Sequence, residues 1–186
     1  MGMVLHLWLP ILLSAVLVFL ASSVIHMVLK WHNPDYRKLP NEDAVRAAFN
    51  AGKPEPGQYI LPHCLDPKEL AKEEVAQRYS DGPVALVWLK APGAPKMGGT
   101  LAGWFLYTLV LSFFVAYLAA HTLAPGAHYL KVFRVVGTAA FVAYAAGGIP
   151  SSIWMGKPWA VTLKEALDGL IFALLTAGAF GWLWPK

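Results

Sequence analysis

Apolar residues in this chain are gathered into long runs, and that clustering limits the available folds more than any motif does. The stretch "MVLHLWLPILLSAVLVFLASSVIHMVL", Met3 to Leu29, carries no Lys, Arg, Asp or Glu, and neither does "TLAGWFLYTLVLSFFVAYLAAHTL", Thr100 to Leu123. A helix rising 1.5 Å per residue needs about 20 apolar residues to cross ~30 Å of hydrocarbon. Charged residues make up 14% of the 186-residue chain, against about 25% in an average soluble domain. The expected class is an all-α membrane protein. Four transmembrane helices are predicted, at residues 1–30 and at about 100–123, 129–148 and 163–184, with a small α/β insert at 31–99 between the first two. Residues 100–186 would form a three-helix transmembrane region.

The first run reads as a retained anchor. A cleaved signal peptide has a basic start and an apolar core of about 7–15 residues; here no Lys or Arg precedes Lys30. Pro10 is tolerated near the outer end because neighbouring helices can satisfy freed backbone groups. The turn "APGA" separates spans two and three, and the Pro and Gly of "IPSSIWMGKPWAV" are expected to break helix before span four. Thr162 with Glu165 matches a capping box for that last helix.

Net charge is +4, with basic residues scattered among acids, which argues against a nucleic-acid partner and for a reading as topology. Of the 15 Lys and Arg, all but Lys131, Arg134 and Lys186 lie in 30–99 or in the 149–164 connection. The positive-inside rule therefore predicts a cytoplasmic insert and both termini on the periplasmic side.

Within the insert, "LPNEDAVRAAFNAG" reads as a short helix with Asn41 as cap and Gly52 as stop. "GQYILP" and "PVALVWLKAP" read as strands. The helix "LDPKELAKEEVAQRYSDG" lies between them, with Asp66 as N-cap, Pro67 at its first position, Glu69 completing a capping box and Gly82 as terminator. The order suggests a small βαβ-like unit. Two strands are weak alone, so the unit is expected to lean on the membrane surface or a partner.

Each candidate for chemistry has an ordinary alternative. Cys64, beside His63 and just before a helix start, is a candidate reactive thiol or metal ligand. No CxxC or HxxxH completes a set, and ordinary loop residues are the preferred reading. His6, His121 and His128 gather at the predicted outer face, with His26 and His32 near the inner one. His6 and His121 are the best pair on depth for an axial haem site, although wet interfacial histidines look the same in sequence. Haem is thus an option, and no cofactor is required by the sequence. Lys131 and Arg134 share a face of span three. They either snorkel to headgroups or bind a lipid or other anion, and snorkelling is preferred.

Asp168 sits about 9 Å inside the helix start by its distance from Thr162. Lys164, four residues earlier, is placed for an i,i+4 pair. This buried polar pair is read as structural, since a proton relay shows ionisable groups through the whole membrane. Gly169, Ala173, Ala177 and Gly181 recur every four residues, a small-residue stripe for close helix packing. Ala139, Ala143 and Gly147 on span three repeat that spacing, as do Ser112, Ala116 and Ala120 on span two. Nucleotide-binding, hydrolase, zinc-protease, c-type haem and calcium-loop motifs are missing from the sequence.

The segments "YRKLPNEDAV", "FVAYLAAHTLAPG", "VFRVVGTAAF", "SIWMGKPW" and "DGLIFALLTAGAFGWLWP" resemble a group of small bacterial membrane proteins of unassigned function. The resemblance covers nearly the whole chain and implies a bacterial inner-membrane location, with no activity attached. The expected role is a non-enzymatic membrane scaffold or accessory subunit. Its expected partners are the lipid bilayer and another membrane protein or a second copy. The alternatives are a haem- or metal-binding redox protein using the outer-face histidines, an enzyme or sensor using Cys64 with His63, and a protein binding lipid or a hydrophobic ligand.

Overall fold

In the computed structural model, which describes residues Gly2–Lys186, the chain is mostly helical and separates into two units. One is Lys38–Pro95; the other comprises the residues before it, up to Arg37, together with Lys96–Lys186.

The second of these holds the long apolar helices. Helix α1 (Gly2–His6) is divided from α2 (Trp8–Ser23) at Leu7. Pro10 accounts for the break: it has no N–H for the His6 carbonyl four residues back, and its ring crowds that carbonyl. The helix then widens into a π-helical turn over Val24–Leu29 and stops at Lys30, whose φ is 52°. In the other unit α3 (Glu42–Gly52), β1 (Gly57–Leu61), α4 (Pro67–Leu70), α5 (Glu73–Asp81) and β2 (Ala85–Leu89) follow. Helices α6 (Met97–Thr122), α7 (Tyr129–Ala145), α8 (Ile149–Trp154) and α9 (Trp159–Trp182) complete the chain.

Among the described residues, three stretches are long and apolar enough to cross a membrane: Trp8–Leu29, Met97–Thr122 and Tyr129–Trp154. The third runs further than the predicted 129–148. Its Gly147–Gly148 segment keeps helical backbone as a short 3-10 turn, and Pro150 falls in the first turn of α8, where a missing N–H costs nothing. Helix α9 is 24 residues long and carries Lys164, Glu165 and Asp168 in its first half. It begins at Trp159, a turn before the expected cap. Thr162 is consequently inside the helix, its hydroxyl 2.6 Å from that of Ser152, while Glu165 pairs with Lys157. The capping box does not form.

Small residues bring α7 and α9 together. A methyl group on Gly169 would stand 3.0 Å from Ala145 Cβ, one on Gly137 would stand 3.2 Å from Ala177 Cβ, and one on Gly181 would stand 2.6 Å from the Tyr129 ring. Contacts that run from the start of one helix to the end of the other define an antiparallel pair. The face of α7 in this contact is Val132, Val136, Gly137, Ala140 and Ala145, whereas Ala143 and Gly147 are exposed. The expected 139–143–147 stripe is therefore not the packing face. Helix α6 adds Leu111, Val115, Ala116 and Ala119 to a core completed by Leu7, Phe180 and Trp184. Ser14 donates to Ser112 (3.0 Å) between α2 and α6, and the Trp104 indole donates to Ser22 (2.7 Å). Gly126, at φ 73°, turns the chain between α6 and α7, and its N–H donates to the Pro185 carbonyl.

In the Lys38–Pro95 unit, the two strands pair antiparallel, from Gly57 opposite Leu89 to Leu61 opposite Ala85. This corrects the βαβ-like expectation, which implies parallel strands. The connection leaves and re-enters at the same end of the sheet, so its helices form a long hairpin loop and not a crossover. Asp66 caps α4 by accepting from the Lys68 N–H (2.9 Å), and Gly82 ends α5 at φ 64°. Glu69 turns to Lys72 (2.6 Å), so its capping-box role is not taken up, and the single expected helix is divided at Ala71 and Lys72.

Candidate functional site

The polar cluster of the helical unit forms where the end of the first apolar helix meets the start of α9. After the π-helical turn, Lys30 takes left-handed backbone and reverses the chain. A 3-10 turn over Asn33–Asp35 follows, in which the Asp35 N–H donates to the His32 carbonyl (3.0 Å). This tight loop holds Trp31, His32 and Asp35 against α9.

The side chains then form a continuous chain of contacts. Lys164 donates to Asp35 Oδ1 (2.6 Å) and to the Trp31 carbonyl (3.0 Å). Asp35 Oδ2 lies 2.9 Å from His32 Nδ1, and His32 Nε2 lies 2.7 Å from Asp168 Oδ2. The side chains of His32, Asp35 and Asp168 are 12%, 9% and 6% exposed. His26 stacks on His32 with ring centroids 4.8 Å apart, and its Nδ1 lies 2.9 Å from the Ser22 carbonyl. The Lys164 ammonium also stands 6.0 Å from the centre of the Trp31 ring, the outer limit for a cation–π contact.

Two carboxylate oxygens flank the two ring nitrogens of His32. Both contacts are hydrogen bonds only when both nitrogens carry protons, since an ionised carboxylate is an acceptor alone. In that form Lys164, Asp35, His32 and Asp168 alternate plus, minus, plus, minus and sum to zero. Such compensation is what allows ionised groups to be taken from water. One valence is left over: Asp168 Oδ1 is buried without a partner, as are the Trp31 indole N–H and the Tyr144 hydroxyl.

The Lys164 hydrogen bond, with a smaller contribution from His32, holds the Asp35 carboxyl below the usual aspartate range despite the opposing effect of burial. A carboxylate with a depressed pKa stabilises the fold above its unfolded value of about 4 and loses that contribution as pH falls through the lower, folded value. Thermal unfolding in detergent with EDTA, scanned downward from pH 5, should therefore show a falling midpoint below about pH 4. Asp35→Asn should flatten part of that fall.

The sequence placed Asp168 and Lys164 as a mutual pair, and the structure separates them. Side chains on a helix tilt toward its N-terminus, so Lys164 reaches outward to Asp35 while Asp168, a turn deeper, meets His32. Asp168 is buried; Lys164 is partly exposed. Nothing in the sequence alone marks Asp35 or Trp31, and it places His32 only near the inner face. The sequence does carry a signal: span one ends and span four begins on the same predicted side, which brings His26, His32 and Asp168 to one end of the helices.

The other candidates stay apart from this cluster. His6, His121 and His128 are exposed. His121 Nδ1 lies 2.7 Å from the Tyr117 carbonyl, and His128 caps α7 by accepting from the Leu130 N–H. Lys131 and Arg134 are exposed on α7. Cys64 is partly exposed with its thiol 3.5 Å from the Asp66 carbonyl, and His63 is exposed beside it. Of the stripe residues, Gly169, Ala173 and Ala177 are buried and Gly181 is partly so. No family model, curated protein or solved structure matches the chain.

Proposed function

We propose that the protein is a multi-pass bacterial inner-membrane protein with four spans and both termini outside, acting as a non-enzymatic scaffold or accessory subunit for another membrane protein. The observation that carries the scaffold role is the Lys38–Pro95 unit, in which no residue is buried. It nevertheless holds out Leu65 and Trp88, 77% and 65% exposed. A two-stranded sheet without a core is marginal alone, and exposed aromatic and aliphatic anchors are what a protein partner buries. The fourth span is supported by the length of α9 and by its antiparallel packing on α7, and the sidedness by the basic residues of 30–99.

A photo-crosslinking residue at Trp88, followed by mild-detergent purification, tests this reading. One dominant adduct with a membrane protein is expected, and Leu65→Ser should weaken it. Recovery as a lone, colourless, monodisperse chain without adducts would overturn it.

A lipid-binding reading has one observation in its favour. An apolar groove of about 430 Å³ runs between α6 and α7, lined by Tyr107, Val110, Phe114, Leu118, Ala139 and Ala143 among others. It suits an acyl chain, and native mass spectrometry would find a retained lipid released by Ala139→Trp.

A further inference from the structure

His26, His32 and Asp168 come from three places in the chain, yet one potential ligand atom from each lies within 4.8 Å of the others. We propose that these three side chains bind a divalent first-row transition cation, in a two-histidine, one-carboxylate site where the first apolar helix meets α9.

Four features of the geometry carry the assignment. First, the tautomer of His26 is set. Its Nδ1 faces the Ser22 carbonyl, an acceptor only, so Nδ1 carries the proton and Nε2 keeps its lone pair. Second, His32 Nδ1 faces Asp35, which Lys164 holds in turn. A carboxylate behind the far ring nitrogen is the usual outer support of a metal-binding histidine, fixing the ring and raising its basicity. Third, Asp168 is buried and its Oδ1 has no partner, which leaves a second oxygen for the same ion. Fourth, His26 is exposed, so the cluster has an entry route.

The cation takes the position of the proton now shared by His32 Nε2 and Asp168 Oδ2, 2.7 Å apart. Metal–nitrogen and metal–oxygen bonds of about 2.0–2.2 Å in a tetrahedral shell need those atoms further apart by roughly 0.6 Å, at ~3.3 Å. The His26 and His32 rings lie nearly parallel, 12° apart, so the His26 ring must turn, and its ligand atom, now within 4.8 Å of the other two, must close by up to about 1.4 Å to reach the ~3.4 Å of a tetrahedral pair. Imidazole with carboxylate suits zinc, cobalt or ferrous iron over magnesium or calcium, which prefer all-oxygen shells. Three protein ligands leave a coordination position open.

The test uses the full chain, free of any histidine tag, stripped with EDTA in mild detergent. Co2+ alone should give visible ligand-field bands that saturate at about one ion per chain, displaced by Zn2+. His26→Ala should remove the bands. It is the safest ligand variant, because it leaves the His32–Asp168 and Asp35–Lys164 contacts in place. His32→Ala should do the same, and Asp35→Asn, a positioning change, should weaken Zn2+ binding about 10–100-fold. His6→Ala, His121→Ala and His128→Ala should leave it unaltered. Folded protein that shows no saturable Co2+ bands would overturn the proposal. So would binding that survives His26→Ala with unchanged affinity, or that disappears with the three outer histidines.

Discussion

Gly169→Leu should all but eliminate folded protein, whereas Gly178→Ala, nine residues further along the same helix, should be neutral or stabilising. A methyl at Gly169 already stands 3.0–3.1 Å from the Cβ, Cα and N of Ala145, two of them backbone atoms that no rotamer change can move. At Gly178 nothing lies within 4 Å of the same methyl. Gly169→Ala then sets a propensity gain of about 1 kcal/mol against a tight contact, and it should come out destabilising. Leucine adds three more carbons and forces α7 from α9; overpacking of this kind costs about 1–3 kcal/mol or more. Paired helices separated by one side chain also lose the neighbouring Gly137–Ala177 approach. Yield of monodisperse protein and thermal unfolding in detergent read the contrast, and equal behaviour of the two glycines would remove the close α7–α9 contact from this account.

Asp168→Ala should cost about 3–5 kcal/mol, the range for removing one partner of a buried ion pair. The loss is large because His32 keeps its mostly covered ring, 12% exposed, while Nε2 loses its carboxylate partner, and Lys164 cannot turn inward to help without leaving Asp35. Asp168→Asn retains an oxygen acceptor for His32 Nε2 and should cost distinctly less. His32→Ala should overlap with Asp168→Ala, the double variant falling short of the sum by about 0.5–3 kcal/mol. Measuring all of them in EDTA separates the hydrogen-bond clasp from any metal. Strict additivity would mean that the two side chains do not act together.

Legibility differed from one element to the next for physical reasons. The long helices could be read because each is locally determined: an unbroken apolar run has few other places to go. Asp66 and Gly82 could be read because a cap is satisfied within a few residues of itself. Strand direction could not, since nothing within β1 or β2 encodes which end the connection returns to. The start of α9 was displaced by a turn because Thr162 and Glu165 match a capping box and yet each has a closer partner in space, Ser152 and Lys157. The α7 stripe failed for a related reason. Ala139, Ala143 and Gly147 share a face, but so do Val132, Val136 and Ala140, and only the facing helix decides between them. Lys164 and Asp168 were joined by their spacing, while their actual partners lie 129 and 136 residues away.

That last separation bears on biogenesis. The bond between His32 and Asp168 closes a loop of 136 residues, so it cannot exist until the ribosome has delivered residue 168. Until then the loop after the leading hydrophobic segment has only the local contact of His32 with Asp35, and the outer partners of both, Asp168 and Lys164, are missing. Helix α9 is what locks the first apolar helix, which makes its arrival, and not early insertion, the step at which a product stalled before residue 168 is distinguishable from one that has passed it.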